Sequence, residues 1–383
     1  MIKAIKDLLL GIFELLGFQI LKAQYFSETK IRKIEETNEI HSTDDHILQN
    51  IMEFYSKVPP FYSDEVSPEL QIGGAWQNNL TLNRKNQLQA IQDNNKNLYK
   101  HLLEDMFRNE MVSQMWDGGY YDKKLIGKKI PYDFYVWMDA YKYLTDRSEE
   151  DLVSSSIGNP WGCQSGGGII KLMDPRQGIK AQSIINLLNI VTKDRNHKPT
   201  LLDLGSGFGG DMEKVARWYD KPVRIILSDV PLNLTSAYAF ISSSIKTAKS
   251  DLISSRKQLS SLLENEINGI EFIFLPTCFI EELRDREIDV LHNHGSLSEM
   301  DRETVEFYLD VLLKNTNYFH EINSNRPAYL SNETHLEVSS KTFPIPDSHQ
   351  LLSRTPTWFT PRGHRYLTNI YKKVDHISTQ NSF

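Results

Sequence analysis

Two cysteines in 383 residues, Cys163 and Cys278 in unrelated contexts, are too few for a disulfide framework or a structural zinc site. The chain also lacks a basic balance. Its 43 Lys and Arg against 50 Asp and Glu leave a net charge of −7, which argues against a nucleic-acid partner because a phosphate-rich polymer is repelled. It carries no internal repeat and no low-complexity tract, and its apolar N-terminal run is too short and too charged to span a bilayer. What is present is the composition of a soluble enzyme. A 40% apolar content fills ordinary cores, the length fits two domains, and a reducing cytoplasm is the expected location.

The N-terminal stretch MIKAIKDLLLGIFELLGFQI imitates a signal-peptide core at Leu8 to Phe13 behind Lys3 and Lys6, but Glu14 interrupts it and no small-residue cleavage site follows. Ile2, Ile5, Leu8, Leu9, Ile12, Leu15, Leu16 and Ile20 recur at helical spacing and predict an amphipathic helix. Three roles fit it: docking on the protein's own helical part, a dimer contact in a homo-oligomer, or peripheral membrane contact through residues 1–20. Residues 1–150 read as a mainly helical N-terminal domain for acceptor binding or oligomerisation. Loops are expected at Pro59-Pro60, Gly73-Gly74 and Gly118-Gly119. At 151–178 the composition shifts to Ser, Gly and Asn, as expected of a linker or functional loop rather than a folded element. Residues 179–383 then alternate strands with helices and predict a parallel, doubly wound α/β sheet with helices on both faces.

The segment TLLDLGSGFGGDMEKVAR, Thr200 to Arg217, is an apolar strand, a glycine turn and a helix in immediate succession. Gly205, Gly207 and Gly209 let the backbone approach a ligand without a Cβ in the way, and the helix from Gly210 or Asp211 aims its N–H groups at that ligand. The glycines also satisfy the dinucleotide pattern, so the motif alone does not separate a nicotinamide enzyme from an S-adenosylmethionine (SAM) enzyme. Asp203 favours SAM, since it supplies an acceptor for a cationic amino acid group where a dehydrogenase usually carries an apolar residue. The next strand, Val223 to Leu227, runs to Asp229, whose carboxylate is placed to accept both ribose hydroxyls; an ordinary loop or cap residue is the alternative.

Taken with the segment IDVLHNHGSLSEMDRETVEFYLDVLLKNTNYFHEIN at Ile288 to Asn323, the SDVPLNL after the second strand and the upstream GNPWG at Gly158 to Gly162, the chain resembles the sugar O-methyltransferase family of class I SAM-dependent enzymes. The resemblance covers about Gly158 to Lys373. It rests on Asp203 to Gly209, Asp229 with Pro231, Asp289 with Asn293, Ser296, Glu299 and Met300, and Asn323. Here the first motif reads LDLGSG in place of an acid-Ile-Gly-Gly pattern, and His292 and His294 flank Asn293 without being family hallmarks.

The resemblance implies a Rossmann-like sheet whose last strand, Tyr366 to Val374, is antiparallel, and SAM held by Asp203, Gly205, Ser206, Gly207, Gly209, Asp229, Val230, Cys278 and Asn293. A hydroxyl acceptor needs a general base within hydrogen-bond reach, for which His294 stands first, then His292 and Glu299. Structural readings stand beside these: His292 packed in the strand, and Ser298 with Asp301 as a helix capping box. His292 and His294 form an H-x-H pair that could bind a metal, a weak signal without a clear third ligand, so no metal site is assigned and the need for a divalent cation stays open. Acceptor binding is assigned to Trp161, Ser296, Asn323, Trp358 and Arg362, with Phe359, Arg354 and Arg365 beside them and Trp76, Trp116 and Tyr120 as further aromatic candidates. The expected partner is a sugar or glycan, nucleotide- or lipid-linked, in surface polysaccharide or other glycan synthesis, with the enzyme cytoplasmic or membrane-associated. Other readings remain: a small-molecule O- or N-methyltransferase of secondary metabolism, an NAD-dependent oxidoreductase, or a non-catalytic SAM-binding protein.

Overall fold

The computed structural model describes residues 32–37, 42–60, 80, 83–112, 126–166, 168–195, 197–325, 338–357 and 366–374. An eight-stranded sheet forms its centre: β4 (Thr200–Leu204), β5 (Val223–Asp229), β6 (Lys249–Leu252), β7 (Ile270–Pro276), β8 (Ile288–His294), β9 (Thr316–Ser324), β10 (His349–Pro356) and β11 (Tyr366–Lys373). The spatial order is β10-β11-β9-β8-β4-β5-β7-β6. Every neighbouring pair is parallel except the two that involve β11, which runs antiparallel to both β9 and β10. The antiparallel last strand expected from the resemblance is therefore present. The short edge strand β6 and the helix α8 (Arg256–Glu264) are additions to the expected elements; β6 has no apolar pattern, whereas α8 carries Leu259, Leu262 and Leu263 at helical spacing behind the N-cap Ser255.

The pleat sends alternate side chains to opposite faces. Leu201, Ile225, Phe272 and Val290 join one apolar cluster, while Leu202, Ile226, Ile273 and Leu291 join the other. The first face is covered by α5 (Asp174–Arg195), α6 (Gly210–Trp218) and α7 (Pro231–Ser244), the second by a 3-10 turn at Thr277–Leu283 and α9 (Arg302–Leu313). Burial of the whole of Val223–Asp229, with the apolar run Ile225–Leu227 at its centre, follows from this two-sided packing. Proline at the first position of α7 and the left-handed Gly209 (φ 79°) capping α6 fix where these helices start.

The N-terminal part contributes β1 (Ile34–Glu36), α1 (Asp45–Lys57), α2 (Lys85–Gln92), α3 (Lys96–Glu104) and α4 (Tyr132–Thr145). In α1 the carboxylate of Asp44 accepts from His46 N at 2.8 Å, and Ile47, Leu48, Ile51 and Phe54 form the buried stripe. Ile47, Leu48 and Ile51 of that stripe, with Tyr99, Leu102 and Leu103 of α3, lie in the same apolar cluster as Leu201, Phe208 and Phe240 of the sheet half. Among the described residues no helix is long and apolar enough to cross a membrane; the amphipathic run at residues 1–20 lies outside the described residues.

The segment at 151–178, expected to be loop, is in part folded. β2 (Trp161–Ser165) and β3 (Gly168–Lys171) form an antiparallel hairpin, and β1 pairs with β2 to complete a three-stranded sheet. Its glycines are there for closeness rather than looseness. A Cβ on Gly162 would lie 2.1 Å from the Ile170 carbonyl oxygen, and one on Gly158 (φ 75°) would lie 2.4 Å from Met106 Cγ. The helix expected over Gly178 to Val191 is longer at both ends, since it begins at Asp174.

Three rings join the N-terminal part to the glycine turn: Phe107, Phe208 and Phe240 meet edge-to-face at centroid distances of 5.3, 5.6 and 5.6 Å. Phe107 is fully buried, so Phe107→Ala is expected to cost roughly 3–5 kcal/mol of unfolding free energy. Urea denaturation checks this, and a loss below about 1 kcal/mol would show that the N-terminal part is not cohesive with the sheet.

Candidate active site

The glycine turn and the acid after β5 form one unit. Gly205, Gly207 and Gly209 all have positive φ, at 73°, 57° and 79°, which an L side chain adopts only under strain. Gly205 is also tightly enclosed, since a Cβ there would stand 2.0 Å from Ser296 Oγ. The turn folds back on Asp229: Gly207 N donates to Asp229 Oδ2 at 2.7 Å, while Val230 N at 2.7 Å and Asn233 Nδ2 at 3.0 Å donate to Oδ1. Burial still pushes the Asp229 carboxyl up to about 6, against the lowering effect of those donors and of Arg84. Ser206 Oγ and Ser228 Oγ, flanking the turn and β5, are buried with no hydrogen-bond partner among the described residues.

Pairing register places two polar rows across the sheet, one on each face. On the α5/α6 face, Asp203, His292 and His320 are successive Cα partners on β4, β8 and β9. On the α9 face, Leu204, Asn293, Glu321 and Asn369 are partners on β4, β8, β9 and β11.

The first row is a cluster of ionisable groups under the start of α6. Lys180 of α5 reaches Asp211 Oδ2 at 2.6 Å and His294 Nδ1 at 2.8 Å. Because the ammonium is the donor, Nδ1 is the acceptor and the ring proton sits on Nε2, a tautomer that follows from the hydrogen-bond network. Burial first, then Lys180, hold His294 well below the ordinary histidine range, so the ring is neutral. Asp211 is held below the ordinary carboxylate range, chiefly by Lys180, despite the opposing effect of burial. His292 is fully buried and stacks on His320 with centroids 5.0 Å apart; their Nδ1 atoms are 3.1 Å apart, and its Nε2 lies 3.8 Å from Asp211.

The second row is a chain of mutual hydrogen bonds. Asn293 Nδ2 donates to Leu204 O at 2.7 Å and to Ser296 Oγ at 2.5 Å, and Asn323 Nδ2 donates to Asn293 Oδ1 at 2.8 Å and Glu321 Oε2 at 2.9 Å. Asn369 Nδ2 donates to Glu321 Oε1. Burial pushes the Glu321 carboxyl up to about 7.

The structure thus gathers Asp203, Gly205, Ser206, Gly207, Gly209, Asp229, Val230, His292, Asn293, His294 and Ser296 at the carboxyl ends of β4, β5 and β8, on either side of the switch in strand order. Cys278 follows at the end of β7, where burial pushes its thiol up to about 11. Glu299 is half-buried in a 3-10 turn, Leu297–Glu299. Ser298 is not a helix cap: α9 is capped at Asp301 without a side-chain bond, and Ser298 Oγ instead donates to Gly295 O at 2.8 Å because the chain makes that extra turn first. Asn323 belongs to the Asn293 chain, and Trp161 sits in the hairpin with its indole N–H donating to Phe107 O at 3.3 Å. Arg354, on β10, donates to Asn369 Oδ1 at 2.8 Å. Trp358, Phe359, Arg362, Arg365, Trp76, Trp116 and Tyr120 lie outside the described residues. Among the described residues no group of three or more His, Cys, Asp or Glu is arranged to hold a metal ion. Reading the sequence missed Lys180, Asp211 and His320. Asp211 had a signal in its place in the first turn of the glycine-motif helix; Lys180 and His320 had none.

These features define an open, doubly wound α/β sheet whose parallel order is interrupted by one antiparallel strand. No family model and no curated protein sequence matches the chain. Among solved structures it is similar to magnesium protoporphyrin IX methyltransferase from Synechocystis PCC 6803 with bound S-adenosylhomocysteine (12% identity, 63% of this chain and 100% of that chain, TM-score 0.33). It is also similar to the N-methyltransferase NodS from Bradyrhizobium japonicum WM9 (13% identity, 51% and 97%, TM-score 0.34). A third is an S-adenosylmethionine-dependent methyltransferase from Clostridium acetobutylicum ATCC 824 (12% identity, 50% and 91%, TM-score 0.30). Overlaps of this extent leave the function to be read from the residues of the site.

Burial pushes the Asp203 carboxyl up to about 7, with His292 and Lys180 opposing and Asp211 reinforcing the rise. A raised folded-state value means that the stabilisation belongs to the protonated form: it is fully present below about pH 4, the unfolded carboxyl range, and is lost as the pH climbs through 7. Asp203→Asn, neutral at every pH, is therefore expected to raise the thermal midpoint of the ligand-free protein at about pH 8.5, with the gain vanishing near about pH 4.5. An equal shift at both pH values would contradict the assignment of charge burial to Asp203.

Proposed function

We propose that this protein is a SAM-dependent methyltransferase that acts on a hydroxyl of a sugar or glycan. The observation that carries the cofactor is Asp229 at the end of β5, tied to the Gly207 turn, in a sheet whose β11 is antiparallel. A dinucleotide-binding sheet of the dehydrogenase type has no such strand between its outer members. The residues also fit the chemistry of the cofactor. Orphaned hydroxyls at Ser206 and Ser228 border the nucleoside end, and the acids Asp203 and Asp211 favour a cationic amino acid group nearby. Support for the sugar acceptor comes from the sequence resemblance around Gly158–Gly162, Asp289–Met300 and Asn323.

SAM, when bound, supplies a methyl group on a sulfonium, which an oxygen nucleophile displaces in line. The work left to the chain is to hold, orient and dry the reactants. With SAM bound, Asp229 would hold the ribose diol, the positive-φ glycines would let the backbone come close, and the N–H groups at the start of α6 would favour an anionic group. When the new C–O bond forms and the C–S bond breaks, the hydroxyl proton has to leave. His294 stands at the carboxyl end of β8 as a neutral ring with Nε2 protonated, so in the resting arrangement it orients the acceptor oxygen by donating to it. For the ring to take the proton at Nε2, Lys180 must release Nδ1 and the ring's own proton must first move there from Nε2; Glu299, in the turn after β8, is the alternative base.

Calorimetric titration with SAM, S-adenosylhomocysteine and NADH tests this reading. Micromolar binding of the first two alone is expected, weakened about a hundredfold in Asp229→Ala through loss of two charge-assisted hydrogen bonds. NADH binding instead would overturn it, and binding of neither would favour a non-catalytic protein.

A further inference from the structure

Arg84, just before α2, is fully buried and has no carboxylate within ion-pair distance among the described residues. Its Nη1 donates to Gln87 Oε1 at 3.2 Å and its Nη2 to Asn233 Oδ1 at 3.0 Å, while Nε has no hydrogen-bond partner. Asn233 passes the contact on, donating through Nδ2 to Asp229 Oδ1 at 3.0 Å. A buried cation is expensive unless something uses it, and this one ends two hydrogen bonds from the acid placed to bind ribose. Gln87, whose Nε2 donates to Leu232 O at 3.1 Å, locks the arginine's own segment onto the first turn of α7.

We propose that Arg84 is a positioning residue of the nucleoside pocket: through Asn233 it orients the Asp229 carboxylate and keeps it ionised to accept the ribose hydroxyls. The N-terminal part of the chain thereby completes the cofactor site of the sheet half. The inference rests on the SAM reading above. Burial pushes the guanidinium down to about 10, which leaves it a cation at neutral pH. The other charged or titratable groups facing Asp229 are Asp203 from β4 and Tyr308 from α9, while those facing Arg84 are Tyr55, Tyr99 and Glu110. Arg84 is the cation among them, and it opposes the rise that burial imposes on Asp229.

The test is the pH dependence of S-adenosylhomocysteine binding by the full chain, measured calorimetrically for wild type, Arg84→Met, Arg84→Lys and Asn233→Leu. Without the cation Asp229 protonates at a higher pH. The ratio of Arg84→Met to wild-type Kd should then grow about fivefold between about pH 8.5 and about pH 6, as a one-unit rise requires. Arg84→Lys, which keeps the charge, should hold the ratio flat. A purely structural arginine would weaken binding by the same factor at every pH, so a constant ratio for a folded Arg84→Met variant overturns the inference. If circular dichroism shows that variant unfolded, Arg84→Gln, equally neutral, decides by the same criterion; Asn233→Leu, which removes a donor to Asp229 as well as the link to Arg84, should show at least as large a growth, and a constant ratio there also overturns the relay. Failure of wild type to bind S-adenosylhomocysteine at all would instead sink the cofactor reading on which the relay rests.

Discussion

The buried carboxylate of Asp174 is the tie on which the arrangement of the site depends. Its two oxygens take Lys171 N at 2.6 Å, Ser154 Oγ at 2.7 Å and Lys214 Nζ at 2.7 Å, with Lys171 Nζ at 3.3 Å. Those donors come from the hairpin strand β3, the segment before the hairpin, and α6. One side chain at the N-terminus of α5 thus fixes three pieces against each other in a place with no water to replace it. Acids at a helix N-terminus are favourable, and here the end charge also neutralises two fully buried lysines close by, with Glu213 Oε2 standing 3.6 Å from the second of them, Lys214. Lys171 lies in addition over the rings of Phe107 and Phe240 at 5.1 and 5.4 Å, so the charge cluster and the aromatic junction are one assembly.

With α5 held in this way, Lys180 is delivered one and a half turns further along, over the ends of β4 and β8. The two faces of the sheet then divide the labour. The row beneath α5, Asp203, His292 and His320, consists of groups whose charge state can change, and it borders the crevice. The row on the opposite face, Asn293, Asn323, Glu321 and Asn369, exchanges hydrogen bonds almost entirely within itself and holds β8, β9 and β11 at their register. A shift of one residue in β8 would exchange the two rows, so the same pairing that aligns the strands also decides which side chains reach the ligand side.

The sheet was legible because its strands are short apolar runs separated by glycine and acid punctuation, and the glycine turn because only positive-φ residues fit there. The hairpin at 161–171 was read as loop since its glycines, Gly158, Gly162 and Gly168, resemble flexible sequence until the tight approach to Met106, Ile170 and Val153 is seen. β6 stayed hidden because a four-residue edge strand reading KSDL has no apolar pattern. In the site, Asp203 and Asp229 announced themselves through position relative to the glycines. Lys180 and Arg84 could not, because nothing local marks a lysine or arginine whose partner lies 114 or 149 residues away. The histidine at 294 could be located but its protonation could not, since that depends on which atom of a distant lysine reaches it.

Those long separations have a consequence for how the molecule is made. Tyr55 meets Thr235 across 180 residues and Asn50 meets Tyr238 across 188. At a synthesis rate of about 5–20 residues per second, α1 leaves the ribosome roughly 10–40 s before the helix it packs against exists. During that interval its apolar stripe, Ile47, Leu48, Ile51 and Phe54, has α3 beside it but not the surface of α7. A helix made early is thus seated late, and its packing on the sheet half is completed only after the strands and helices from β4 to α7 have emerged.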